Sequence, residues 1–225
     1  MVALALVGLL LHAVPHAAPH AAPHTAPGAL EHAVWQHEQR LDRDGVVVLR
    51  WNSTGLGRRA PTADSAVLVL EVAARTRGYV GLGLSPYTGT MAGADLVLAW
   101  VDDAGVPHAR DYWADQNGSP TLDKNQDWRV VAAEENDTHT VVRLARPLHT
   151  QHVMDVQIQP GPVRVIFSWS GADPGRAPHY HGKEQRGVTE VCLLASAGAA
   201  PRTEVWVWLL VLTTTMGLPF ATNVP

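Results

Sequence analysis

An all-β domain, either a sandwich or a barrel, is the fold class this sequence predicts. Three observations carry it. Eight short segments are rich in apolar and β-branched residues, turns of Gly, Pro, Asp and Asn separate them, and no segment sustains a helical period over three turns. The nearest approach to a helical period is Leu30–Leu41, which is rich in His and Gln. At 225 residues the chain is long enough for one domain with its own core.

Taken in order, the first element is an apolar run, Val2–Leu11, followed by the small residues Ala13, Ala17 and Ala18. It predicts a secretory signal peptide over 1–18, without the usual basic start, and is too short to span a bilayer. Residues 19–30 continue a Pro/His/Ala repeat in which proline at every fourth position blocks both helix and strand, so an extended tail is expected. The predicted strands are Val46–Trp51, Ala66–Val72, Tyr79–Leu84, Leu96–Val101, Trp128–Ala133, Thr140–Leu144, Val163–Trp169 and Val188–Leu194. Ala66–Val72 is apolar at both parities and is expected to be buried on both faces. Asp44-Gly45 and Asp103-Ala104-Gly105 fit hairpin loops in which glycine supplies a positive φ. Residues 196–225 read as a linker or an apolar C-terminal tail. Within them, 205–221 is at the short limit for membrane contact, and three threonines, a glycine and a proline favour a linker or added strand.

Charge and motifs exclude several functions. A net charge of -4 with no basic cluster argues against nucleic-acid binding. There is no Gly-x-Ser-x-Gly, phosphate loop or His-Glu-x-x-His. Cys192 is the single cysteine, so no intramolecular disulfide and no cysteine-based zinc site can form; its apolar surroundings predict a buried free thiol. The sequons at Asn52, Asn117 and Asn136 predict glycosylation and a secretory, extracellular or vesicular location, with Pro120 weakening the second. His179-Tyr180-His181 is a His-x-His pair in a Pro/Gly loop, expected to be solvated because spacing offers no third ligand. Asp95, Asp102, Asp103, Asp111, Asp115, Asp123 and Asp127 fall within 33 residues. They fit either a solvated acidic edge or a hard-cation site completed by backbone carbonyls, although the spacing is not that of an EF-hand.

Three phrases carry a family resemblance. They are Tyr79-Val80-Gly81-Leu82-Gly83-Leu84-Ser85-Pro86 with Gly93-Ala94-Asp95-Leu96, then Asp111-Tyr112-Trp113-Ala114-Asp115-Gln116-Asn117-Gly118, and then Asp123-Lys124-Asn125-Gln126-Asp127-Trp128 with Arg146-Pro147-Leu148-His149-Thr150. In order and spacing, residues 31–195 resemble the DOMON domain that precedes the catalytic half of dopamine β-hydroxylase-like, copper- and ascorbate-dependent monooxygenases. The resemblance implies an immunoglobulin-like antiparallel β-sandwich of about 8–11 strands. It also implies a structural site for Ca²⁺ or a similar hard cation, built from the carboxylates of Asp95 and Asp127 and the carbonyls of Leu96 and Tyr112.

In that family, copper is bound in two further domains, so this chain is expected to be a truncated, non-catalytic module beside an activity that hydroxylates phenethylamine-like substrates. The family's catalytic domains or a second copy of the chain are its expected partners. Gln151 stands where the family places a cysteine. The alternative implied by other DOMON domains is a stand-alone secreted module for haem or sugar, with Met91, Met154 and a histidine as candidate haem ligands.

Overall fold

A computed structural model describes residues 30, 33–54, 66–175 and 178–194. The expected leader, the Pro/His tail and the C-terminal apolar segment lie outside the described residues. Among the described residues eleven strands are formed: β1 (His37–Arg40), β2 (Val47–Thr54), β3 (Val67–Ala74), β4 (Val80–Ser85), β5 (Ala94–Val101), β6 (Pro107–Ala114), β7 (Thr121–Leu122), β8 (Arg129–Glu135), β9 (Thr140–Pro147), β10 (Gly161–Trp169) and β11 (Arg186–Leu194). They pair antiparallel in two sheets, one ordered β1-β2-β3-β9-β8 and the other β11-β10-β4-β5-β6-β7. This is the expected sandwich.

Alternation of side chains builds the core. On β3, Leu68, Leu70 and Val72 point inward, and on β9 Val142 and Leu144 do the same. They meet Val80, Leu82 and Leu84 of β4, Val97 and Ala99 of β5, and Val165 and Phe167 of β10. Burying such a side chain stabilises the fold by roughly 1.5–3 kcal/mol. The other parity of β3 is only half-buried at Val67, Val69 and Ala73, so that strand is not covered on both faces as expected. The doubly buried strands are β4 and β5, every residue of which is buried. Their outer parity forms a second cluster in which Leu96, Leu98 and Trp100 pack with Tyr79, Tyr112 and Ile166. Gly81 and Gly83 permit this: a Cβ on Gly81 would lie 2.9 Å from Leu98, and one on Gly83 2.7 Å from Ile166.

Three strands escape the sequence pattern, the shortest being the exposed pair of residues in β7, which pairs with β6 at Tyr112↔Leu122 and Trp113↔Thr121. His37–Arg40 lies in the stretch nearest to a helical period, yet it is an edge strand paired to β2 from His37↔Trp51 to Arg40↔Val48. Its mostly exposed residues need no apolar alternation. Pro107–Ala114 carries Pro, His, Arg and Asp, and it forms β6 because it pairs along the whole of β5. Cys192 is a correction. It is exposed, because Val191 and Leu193 take the inward positions on edge strand β11 and turn the thiol outward.

Candidate metal centre and outer-face cleft

Strand parity places carboxylates inside the sandwich. Asp95 shares the inward side of β5 with Val97 and Ala99, and on β6 Asp111 alternates with the outward Tyr112. Register sets Val97 opposite Asp111, so Asp95 and Asp111 are diagonal neighbours. Across the sandwich, Arg146 continues the inward row of Val142 and Leu144 on β9. Its side chain is 0% exposed, and its Nη2 donates to Asp95 Oδ2 at 2.9 Å and to the Val156 carbonyl at 3.0 Å. Asp155 Oδ2 lies 3.6 Å from the same nitrogen, and the guanidinium sits 5.4 Å over the Trp128 ring. One arginine therefore ties the two sheets together through Asp95.

The loop after β7 closes over this basin. The Asp123 amide donates to the Asp111 carbonyl, and the Gln126 side chain reads both the amide and the carbonyl of Asp111. The Asp127 amide donates to Asp111 Oδ2 at 3.1 Å, and Asp127 Oδ2 accepts from His152 Nδ1 at 2.8 Å. Asp127, His152 and Asp155 bring donor atoms within 4.8 Å of one another.

The four residues of the expected cation site thus share one neighbourhood: Asp95 and Leu96 on β5, Tyr112 opposite Leu96 on β6, and Asp127 bonded to Asp111. Asp95, Asp111 and Asp123 are buried, so these three are not a solvated edge, whereas Asp103 and Asp115 are exposed. Burial pushes Asp95 up to about 6 against the pull of Arg146. Burial, and then the charge of Asp95, push Asp111 up to about 8. Oδ1 of Asp95, Oδ1 of Asp111, Oδ2 of Asp123 and Oδ2 of Asp155 are buried without a hydrogen bond. Four orphaned carboxylate oxygens, two of them on residues that face the buried guanidinium, are a donor set that fits a cation.

The sequence did not single out Arg146, His152 or Asp155. Arg146 was visible only as part of the Arg-Pro-Leu-His-Thr phrase, and no local pattern announces a buried arginine.

A second feature lies on the outer face of the β4–β5–β10 sheet. A cleft of about 760 Å³ is floored by Gly81, Gly83 and Ile166 and walled by Met91, His179 and His181. The His-x-His loop is solvated at His179 and Tyr180, both exposed as expected, whereas His181 is half-buried. The Tyr79 hydroxyl donates to the His179 carbonyl at 3.0 Å, and His179 Nε2 is 2.7 Å from Ser170 Oγ. His181 Nδ1 donates to the Gly182 carbonyl at 2.7 Å. A carbonyl only accepts, so Nδ1 carries the proton and Nε2 keeps its lone pair. Burial also holds this imidazole below its usual range. Met154 is exposed and does not line the cleft. Of the sequon asparagines, Asn117 and Asn136 are exposed, and Asn52 is half-buried with its amide bonded to Val34 and Gln36.

The family model described as DOMON domain matches residues 62–170. DBH-like monooxygenase protein 1 of Homo sapiens is 36% identical over 161 residues, which is 71% of this chain and 24% of that protein. Dopamine beta-hydroxylase of Bos taurus is 30% identical over 129 residues, 57% of this chain and 20% of that protein. The chain thus spans a quarter or less of these curated relatives. Among solved structures, the cytochrome domain of Myriococcum thermophilum cellobiose dehydrogenase aligns with a TM-score of 0.51 at 16% identity, covering 67% of this chain and 77% of that one. That likeness concerns the fold.

Proposed function

Because this chain contains a DOMON domain homologous to the corresponding region of DBH-like monooxygenase protein 1 and dopamine beta-hydroxylase, we propose that it is a non-catalytic module of such a monooxygenase, clamped by a cation between its sheets. The observation that carries the clamp is the set of buried carboxylate oxygens without hydrogen bonds around Arg146. Asp95 and Asp127, with the carbonyls of Leu96 and Tyr112, are the donors for a hard divalent ion. Such an ion would neutralise carboxylates that Arg146 alone leaves in excess, and it would tie the loop at Asp127 to β5 and β6. In this reading the copper- and ascorbate-dependent hydroxylation expected of the family belongs to other parts of a longer secretory-pathway protein. This module then supplies a rigid body carrying glycans at its sequons.

The test is metal analysis of the full chain secreted by a eukaryotic host, followed by thermal unfolding in EDTA and in excess Ca²⁺. One ion per chain and a raised midpoint, both lost in Asp127→Ala, are expected. Unfolding that is identical with and without the ion would refute the clamp.

A second reading rests on the cleft. Met91 and the unprotonated Nε2 of His181 on an apolar floor suit a Met/His-ligated haem. Hemin titration should then give a Soret band that Met91→Leu and His181→Ala each abolish. An unchanged spectrum in both variants would refute it.

A further inference from the structure

We propose that the rim of this basin, at Asp127, His152 and Asp155, takes a borderline divalent transition metal such as Zn²⁺. The inference rests on the proposal that the basin takes a cation, and it names a different donor set sharing Asp127.

Three observations carry it. The donor atoms of the three residues already lie within 4.8 Å of one another. His152 Nδ1 stands 2.8 Å from Asp127 Oδ2, to which it donates, and 3.8 Å from Asp155 Oδ2. A tetrahedral ion with bonds of about 2.0–2.2 Å holds its donors about 3.3–3.6 Å apart, which these separations bracket.

Independently, the Asp155 side chain is only 3% exposed, yet its Oδ2 accepts no hydrogen bond while pointing at this spot. Arg146 lies 3.6 Å from that oxygen, and its shorter contact is the 2.9 Å one with Asp95. Asp95 therefore takes up most of the arginine's charge and leaves Asp155 under-compensated. The side chain of His152 is 34% exposed, which gives an ion an entry path and room for a water as fourth ligand.

The donor chemistry selects the metal. Ca²⁺ takes six to eight oxygens, whereas an imidazole nitrogen suits Zn²⁺ and its first-row neighbours. Binding replaces the Nδ1 proton by the ion. The ring takes up a proton on Nε2 in exchange and stays neutral with no net release, Asp127 turns from hydrogen-bond acceptor into ligand, and Asp155 Oδ2 gains a partner.

The experiment titrates the full chain with Zn²⁺ and with Ca²⁺, following unfolding midpoint and binding heat. Co²⁺ serves as the spectroscopic probe. His16, His20 and His24 offer a competing loose site, so the readouts are the midpoint and the His152-dependent fraction. Expected are a Zn²⁺-raised midpoint and visible Co²⁺ bands. His152→Gln and Asp155→Asn should each weaken binding about tenfold or more, with the apo fold retained in His152→Gln because the site is open there. Zn²⁺ stabilisation unchanged in His152→Gln overturns the inference. Stabilisation by Ca²⁺ alone, lost in Asp95→Asn and kept in His152→Gln, overturns it and leaves the cation clamp standing. Indifference to both ions overturns both.

Discussion

Removing the guanidinium that joins the sheets should cost this protein more at high pH than at low. The perturbation is Arg146→Met, which keeps an unbranched side chain of similar length and deletes the charge. Arg146 is 0% exposed and pairs at 2.9 Å with Asp95, itself 1% exposed at the side chain. Breaking a buried pair by removing one partner costs about 3–5 kcal/mol, because the other charge stays behind uncompensated. The Val156 carbonyl also loses its donor, adding roughly 1 kcal/mol.

The sign of the pH dependence follows from Asp95. Burial raises it to about 6 in the fold, against an ordinary value of 3.8. Its folded form therefore favours the neutral acid, a contribution fully present below 3.8 and lost as pH rises through 6. Without Arg146 the group moves higher still. At pH 5 the variant holds Asp95 neutral, and the penalty shrinks to about 1–2 kcal/mol of lost hydrogen bonds. At pH 8 the penalty reaches about 4–6 kcal/mol, equivalent to some 10–20 °C in midpoint for a domain of this size.

The assay is urea unfolding in EDTA at pH 5, 6.5 and 8, followed by tryptophan fluorescence, since Trp128 lies under the guanidinium. A penalty below 1 kcal/mol, or one equal at all three pH values, would refute the buried-charge account. The double variant Asp95→Asn/Arg146→Met should recover much of the loss at pH 8.

Three further outcomes are expected. Asp111→Asn should flatten the pH profile in EDTA: burial and Asp95 put Asp111 at about 8, so wild-type stability falls from pH 4 toward 8 and the variant should exceed it by more than ~1 kcal/mol at pH 9; a parallel profile would count against this. Gly78→Ala should lower stability by about 3 kcal/mol, because its Cβ would meet backbone atoms of Ser170 and Ala172 at 2.5 Å, and thermal unfolding checks it. Cys192→Ser should leave stability within about 0.5 kcal/mol, and the native thiol should react fully with Ellman's reagent, since it is exposed on an edge strand.

The strand set was legible wherever apolar alternation exists. Val46–Trp51, Ala66–Val72, Tyr79–Leu84 and Thr140–Leu144 all became strands with ends shifted by a few residues. It was not legible at β1, β6 and the two-residue β7, which are held by ladder pairing to a neighbour rather than by their own pattern. The family phrases already contained Asp95, Asp111, Asp127 and Arg146, but only register and parity turn Asp95, Asp111 and Arg146 to one inner side. His152 and Asp155 come together with Asp127 across 25 residues and more of chain, a distance that no local spacing encodes.

By itself, then, the sequence determined an all-β chain without Cys-based staples, its main strands and its DOMON phrases, because period-two burial and turn chemistry are local properties. The tertiary structure alone decided that Cys192 faces outward, that an arginine is buried without exposure against Asp95 and Asp155, and that His152 meets Asp155 and Asp127 beside them. Those outcomes depend on which strand lies beside which. Sheet order and register convert a scatter of acidic residues along the chain into a charged basin between two sheets.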